Sequence, residues 1–236
     1  MSGKTTRPPS PPFTLVIPAY NEAERIPRLL LQIAGAEGEF IFVCEGNDET
    51  PRLVLDFAGA HPEMTVRCLY RSGRMGKGGA IREGVTLASA PLVGYMDADA
   101  STSFSQMRDL FSLIDGADGV IGSRWVRGAV LEKPQGLSRR IESRIFNCIV
   151  RLLFGLPFRD TQCGAKVFKK SAIDAVIREM TSSGFEFDVE LLWRLKTRGF
   201  RIREHPIVWR DTSSSNVRRS DGIRMLANLI RLRLGG

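Results

Sequence analysis

Two carboxylates spaced by one residue, Asp97-Ala98-Asp99, follow an apolar run at 92–96. At a strand end such a pair can jointly grip a hard divalent cation. Mg2+ takes one or two carboxylates and completes its shell with phosphate oxygens. Upstream, the glycine-rich stretch SGRMGKGG at 72–79 precedes a helical segment. Glycines let backbone amides approach a phosphate, and a helix N-terminus favours anions. Arg71, Arg74 and Lys77 add charge suited to a diphosphate. This is not a Walker A loop, because the spacing is short and no Ser or Thr follows Lys77. Nor is it the dinucleotide fingerprint, which belongs after the first strand. Glu45-Gly46-Asn47-Asp48 leaves another apolar run, where an acid can accept hydrogen bonds from a base or ribose. The cluster DTQCGAK at 160–166 lies between apolar segments, and its composition alone carries no specific chemistry. Cys163 reads equally well there as a small core residue.

Strands must alternate with helices to bring these groups together, and the hydrophobic pattern does alternate. Residues 13–17 read as a strand stopped by Pro18. Residues 22–34 carry helical spacing (Ile26, Leu29, Leu30, Ile33) with Asn21 as N-cap. Further strands are expected at 40–44, 66–70, 92–96 and 119–122. A helix capped by Thr50 begins with Pro51, and another covers 79–88. Such a rhythm implies an α/β fold, a mostly parallel sheet flanked by helices. Ligands of such sheets bind beyond the carboxyl ends of the strands, which makes neighbours of 18–22, 45–48 and 97–101. After Ser123 the rhythm changes. Residues 138–154 read as a helix with the polar stripe Arg140, Arg144, Asn147 and Arg151. Residues 185–198 read as an amphipathic helix and 201–209 as a strand. In 221–234, Ile223, Leu226, Ala227, Ile230 and Leu234 share one face, opposite Arg224, Asn228 and Arg231. Helices of this kind can lie in a membrane interface, or pack on the domain or a second chain.

The charge is divided unevenly. Residues 1–123 hold 11 basic and 15 acidic residues, net −4; residues 124–236 hold 23 and 11, net +12. The second half should therefore meet something anionic: a phosphate, a membrane surface or a nucleic acid. Neither a zinc finger, an RNP-like motif nor a convincing helix-turn-helix is present, which argues against nucleic acid. The 236 residues suit one domain with at most a small appendage. Hydrophobic residues at 43% exclude bulk disorder. No apolar run reaches the roughly 20 residues that span a bilayer. Residues 1–12 read as a polar, proline-rich flexible tail without the apolar core of a signal peptide. Cys44, Cys68, Cys148 and Cys163 lack paired metal spacing, which suits free thiols in a reducing cytoplasmic setting.

Five segments, taken in order, resemble the inverting family-2 glycosyltransferases of the GT-A fold: VIPAYNE at 16–22, GKGGAIREG at 76–84, Asp97-Ala98-Asp99, Gly122-Ser123-Arg124 and RDTQCGAKVF at 159–168. The last, followed by FDVELL at 187–192, is similar to the polyprenyl- or dolichyl-phosphate hexose synthases, closest to the dolichyl-phosphate β-glucosyltransferase branch. The likeness runs from about Phe13 to Val217.

The resemblance implies a GT-A Rossmann-like sheet with C-terminal amphipathic interfacial helices. It implies a catalytic domain over 13–220, with a nucleotide-sugar half (13–123) and an acceptor half (124–220), before a helix at 221–236. By position, Pro18, Ala19, Tyr20 and Glu22 would lie against the nucleoside and Glu45 would read the base. Lys77 and Ala98 would line the diphosphate, and Asp97 and Asp99 would hold Mg2+ or Mn2+. Asp99 and Arg124 would carry the catalysis. Arg124, Arg139, Gln162, Asp188, Glu190 and Arg210 would face the acceptor. Three departures stand out. Cys44 precedes Glu45 where the family often has two acids, Ser101 stands where the mannosyl branch often has Gln, and the C-terminal transmembrane helices of some relatives are not seen.

The implied reaction moves a hexose, glucose from UDP-glucose, onto a polyprenyl or dolichyl phosphate with inversion, at the cytoplasmic face of a membrane and by peripheral contact. The acceptor is a phosphate monoester, largely ionised at neutral pH, so no dedicated general base is needed. Alternatives are mannosyl or N-acetylglucosaminyl transfer, a GT-A enzyme with a soluble acceptor, a nucleotidyltransferase, and a basic nucleic-acid-binding module.

Overall fold

The computed structural model describes residues 11–133, 137–210 and 219–235, with side chains omitted at 133, 137–143, 219–221 and 223. Among them a seven-stranded sheet runs in the order β3-β2-β1-β4-β7-β5-β8. Its strands are β1 (Thr14–Tyr20), β2 (Glu39–Glu45), β3 (Thr65–Arg71), β4 (Leu92–Tyr95), β5 (Gly119–Ser123), β7 (Lys166–Lys169) and β8 (Ile202–Pro206). β6 (Val130–Lys133) and β9 (Val208–Arg210) form a separate parallel pair. Every neighbouring pair in the large sheet is parallel except those made by β7, which lies antiparallel between β4 and β5. The sequence pattern at 201–209 predicts one strand. The backbone instead makes two, joined at Ile207, whose amide bonds back to the Ser123 carbonyl.

Alternation along β1 sorts the two cores. Leu15, Ile17 and Ala19 face one side, packed with α1 (Ile26–Ile33), α2 (Thr50–Ala60) and α4 (Phe104–Ser112). Val16 faces the other, with α3 (Gly76–Leu87), α5 (Leu137–Phe154), α6 (Lys170–Ile177), α7 (Phe187–Thr197) and Leu229 of α8 (Arg219–Gly235). β1 does not stop at Pro18. β4 pairs with it only through Val16, so beyond that residue one flank of β1 has no ladder for proline's missing donor to break. The chain goes from β1 to β2 on one side and later returns to β4 on the other. The carboxyl end of β1 therefore lies at the point where the strand order reverses.

Two local capping expectations give way to longer-range bonds, and two helices are buried differently from their sequence pattern. Asn21 is not a helix cap: its φ is 51°, and its Oδ1 accepts from the Asn47 amide, tying the β1 and β2 loops together. Helix α1 starts at Ile26, with Pro27 in its first turn. The Thr50 hydroxyl accepts from the Glu22 amide at 2.8 Å instead of capping α2. α7 is not amphipathic, since Phe187, Asp188, Val189, Glu190, Leu191 and Leu192 are all buried. α8 docks by Leu229, which is fully buried, with Met225 and Leu232 packed on the core, and leaves Ile230 and Leu234 of the expected apolar face outward. No helix among the described residues is long and apolar enough to cross a membrane.

Candidate active site

Register brings together residues expected to meet the donor. Tyr20 pairs with Glu45 across β1 and β2, and both end their strands. Arg74 stacks over the Tyr20 ring, its Cζ 4.3 Å from the centroid. Glu45 is buried, and its Oε2 accepts from the Gly76 amide at 3.3 Å. Its Oε1 is buried and has no partner among the described residues, so one acceptor remains for a ligand N–H. Burial pushes the Glu45 carboxyl above its usual range, against the amides of Gly76 and Met75. Glu22 lies beside the aspartate pair. Burial, opposed by Arg25 and reinforced by the charges of Asp99 and Asp97, pushes its carboxyl up to about 7.

Asp97 and Asp99 leave β4 with different surroundings. Asp99 Oδ1 accepts from the Ser101 amide and hydroxyl, at 2.9 and 2.7 Å. The Asp97 side chain is 41% exposed and meets Lys77 Nζ at 2.9 Å. Lys77 also lies 3.4 Å from Asp188 Oδ2. Burial works against the charge on Lys77, but Asp188 and Asp97 more than offset it and hold the amine protonated. Gly164 fits against the same carboxylate, and a Cβ there would lie 1.8 Å from Asp97 Oδ2. The cluster at 160–166, silent in composition, is thus the floor under Asp97. Its signal was the glycine, which a close approach of backbone to carboxylate requires.

The glycine-rich loop works differently from expectation. The Gly78 and Gly79 amides donate to the Ser183 carbonyl, and that of Gly76 to Glu45. A Cβ at Gly76 would strike Ser183 O at 2.6 Å, and one at Gly78 would strike Phe187 at 2.6 Å. These glycines let α3 pack closely on the 183–187 segment. Charge toward a ligand comes from the side chains of Lys77 and Arg74.

Among the residues expected to meet the acceptor, Arg124 is not an open cation. Its Nε and Nη2 donate to the two oxygens of Asp160 at 2.7 and 3.0 Å, and its backbone amide adds a third bond at 3.0 Å. Asp160 is fully buried and Arg124 is 13% exposed. The Asp160 carboxyl sits below its usual range because Arg124 outweighs burial. Trp125 and Trp209 flank the guanidinium at 5.8 and 5.6 Å, and Arg144 lies over Trp125 at 5.0 Å. Arg144 is exposed and makes no ion pair among the described residues. Trp125 Nε1 and Gln162 Nε2 are buried donors without partners among those residues.

Other expected contacts lie elsewhere. Ala19 and Ala98 are core side chains, 2% and 3% exposed, and can offer a ligand only backbone. Asp188 faces Tyr95 and Lys166, and Glu190 accepts from the Thr181 and Ser182 amides and Arg194; neither reaches a surface. Internal donors hold both acids in the core, although Asp188 Oδ2 makes no hydrogen bond among the described residues. Arg210 pairs with Glu132, while its amide holds the Ser101 carbonyl at 3.0 Å. Pro18 is half-buried in β1. The Arg139 side chain lies outside the described residues.

Among the described residues no three His, Cys, Asp or Glu side chains converge on one point. A cation at this site would hold Asp97 and Asp99 and need ligand oxygens to complete its shell, a donor set that suits Mg2+ or Mn2+ carried with a diphosphate.

Comparison with known proteins gives a consistent picture. Residues 14–177 match the family model "Glycosyl transferase family 2". Glycosyltransferase AglD of Haloferax volcanii is 30% identical over 86% of this chain, which spans only 34% of AglD. The dolichyl-phosphate beta-glucosyltransferase of Saccharomyces cerevisiae is 28% identical, covering 94% of this chain and 74% of its own length. The undecaprenyl-phosphate mannosyltransferase of Micrococcus luteus is 31% identical over 88% of this chain and 87% of its own. Among solved structures, glucosyl-3-phosphoglycerate synthase of Mycobacterium tuberculosis, with Mn2+, UDP-glucose and phosphoglyceric acid, superposes with a TM-score of 0.70. It is 16% identical over 95% of this chain and 80% of that one, a likeness of fold.

Proposed function

The chain belongs to glycosyl transferase family 2, and from that premise we propose that it transfers a hexose from a nucleotide diphosphate to a polyprenyl or dolichyl phosphate. Glucose from UDP-glucose is the proposed donor, and the product is the inverted, β-linked lipid-phosphate sugar. The observation that carries this reading is the loop at 160–164. At one end Asp160 holds Arg124; at the other, Gly164 lies against Asp97. One short segment thus joins a diphosphate-type acidic site to an arginine and tryptophan cluster. Two of the relatives named above, from Saccharomyces cerevisiae and Micrococcus luteus, bear lipid-phosphate sugar transferase names and support the acceptor class.

The residues divide the work by charge. Tyr20, Arg74 and Glu45 hold the nucleoside, with Glu45 Oε1 accepting from the base. Asp97 and Asp99 hold Mg2+ or Mn2+, which when bound offsets the charge that develops on the leaving diphosphate. Lys77 places a second positive charge there. Direct displacement needs the acceptor phosphate beside this site despite its own charge. Arg124, already balanced by Asp160, orders the loop and supplies its remaining donor edge. Arg144, Trp125 Nε1 and Gln162 Nε2 supply unengaged donors. The catalytic domain is taken as 13–220, with 221–236 completing its surface.

The lipid tail needs an apolar path. Helix α5 leaves Ile145, Ile149 and Leu152 exposed, the last by 80%, and α8 leaves Ile230 and Leu234 exposed, the last by 82%. Arg233 Nε of α8 donates to the Leu153 carbonyl of α5, so the two helices lie together. Arg144, Arg151, Arg224 and Arg231 are exposed around these apolar positions. This face rests on the cytoplasmic side of a membrane, with arginines at the level of anionic headgroups.

The deciding assay incubates the protein with labelled UDP-glucose, GDP-mannose or UDP-N-acetylglucosamine, polyprenyl phosphate and Mg2+ or Mn2+. Label from UDP-glucose in a mild-acid-labile lipid is expected. Label from another sugar corrects the donor, and label confined to water-soluble product overturns the lipid acceptor.

A further inference from the structure

Lys166 and Asp188 are fully buried and oppositely charged, and the division of work above uses neither. Lys166 Nζ donates to Asp188 Oδ1 at 2.5 Å and to the Cys163 carbonyl. Tyr95 Oη donates to the same Asp188 oxygen at 2.6 Å. Burying an ion pair gains little stability over an apolar pair of the same volume. A second reason for these charges lies at the other carboxylate oxygen. Asp188 Oδ2 is buried, makes no hydrogen bond among the described residues and points to Lys77 Nζ at 3.4 Å. Lys77 Nζ then reaches Asp97 Oδ1 at 2.9 Å. Four charges of alternating sign, Lys166, Asp188, Lys77 and Asp97, run from the core to the partly exposed carboxylate. The inner two are immobilised by packing and three hydrogen bonds; Asp97 alone of the four reaches well into solvent.

We infer that Asp188 is a positioning residue for the donor: anchored by Lys166 and Tyr95, it fixes Lys77 so that the amine can exchange Asp97 for an oxygen of the donor's diphosphate. This rests on the donor half of the reading above. When Asp97 turns to a cation, Lys77 would otherwise keep a nearly buried charge without a counter-ion. Asp188 removes that cost and leaves the ammonium aimed where Asp97 had been. Its effect must therefore fall on the diphosphate and not on the nucleoside, whose contacts lie with Tyr20, Arg74 and Glu45.

The test compares nucleoside diphosphates with monophosphates. UDP, GDP, UMP and GMP are titrated calorimetrically with Mn2+ into the full chain, into the charge-balanced double variant Lys166→Met/Asp188→Asn, and into Tyr95→Phe. The double variant removes one charge of each sign and is expected to melt near wild type. Its diphosphate affinity should fall about 10-fold or more, the scale of one charge-assisted hydrogen bond, with monophosphate affinity and acceptor KM unchanged. Tyr95→Phe, which keeps every charge, should show the same selective loss at about 2- to 5-fold, and it carries the test if the double variant does not fold. Diphosphate affinity unchanged in the folded variants, or equal losses for di- and monophosphate, overturns the inference alone. A wild type that binds none of the four overturns the donor reading and this inference with it.

Discussion

Two ion pairs stand about the same loop and behave as opposites. Lys77–Asp97 joins a lysine shared between two acids to a carboxylate that is 41% exposed. Arg124–Asp160 is bidentate, flanked by two tryptophans, and its acid is fully buried. A shared, half-open pair can be exchanged for a ligand at small cost. A closed pair cannot, because separating it leaves a buried charge uncompensated. The donor side thus keeps its charges available, and the acceptor side spends one pair on holding its shape.

Mutation can break or sharpen that contrast. The largest effect belongs to Asp99→Ala, expected to lower lipid-product formation at least about 100-fold while the melting temperature stays near wild type. A matching loss of stability would erase the distinction between the two sides. Asp160→Asn should do the reverse and cost about 3–5 kcal/mol by denaturant titration, since Arg124 loses its counter-ion. Gly164→Ala tests the floor between them. The Cβ must displace the Asp97 carboxylate, so activity is expected to drop about 10-fold or more, with thermal stability changed less than by Asp160→Asn. Wild-type turnover in Gly164→Ala would detach Asp97 from the reaction.

A smaller effect comes from Glu22, titrating at about 7 in the metal-free protein. A carboxyl raised on folding contributes stability that is full below the unfolded value near 4.5 and is lost as pH rises through 7. With chelator present, Glu22→Gln should match wild type near pH 4.5 and exceed it by about 1–3 kcal/mol at pH 8. Equal pH profiles would show that burial beside the aspartates does not raise the Glu22 carboxyl. Least affected in fold should be Leu152→Asp with Leu234→Asp. Both sites are exposed, so stability is expected to hold within about 0.5 kcal/mol while flotation with anionic vesicles declines. Undiminished flotation would move the membrane face off α5 and α8.

The sheet was legible in the sequence because each strand in the first half is a short apolar run bounded by turn residues, and because the strand-end rule then gathers distant loops. β7 was not, since KVFK carries two lysines in four residues. Its first lysine is satisfied by Asp188, 22 positions away, and no local pattern reports that partner. Asp188 and Glu190 were expected to face the acceptor for the same reason, since no local pattern reports the distant donors that hold them inside. The glycine-rich loop was found but given the wrong work, because spacing shows where backbone can approach closely and not what approaches it. In α8 the apolar positions exceed one face, so periodicity could not choose between Leu229 inward and Ile230 inward. Strand-end position was enough to expect Tyr20, Glu45, Asp97 and Asp99 at the carboxyl ends of β1, β2 and β4.

The antiparallel β7 also governs how the protein can be made. β4 and β5 do not pair with each other; each finds its missing neighbour only in β7. Between the emergence of Tyr95 and that of Lys166 the ribosome adds roughly 70 residues, several seconds of synthesis. Throughout that interval the nascent sheet carries an open edge at β4, beside the aspartates. A newborn chain halted there would expose a strand ready to pair with a stranger.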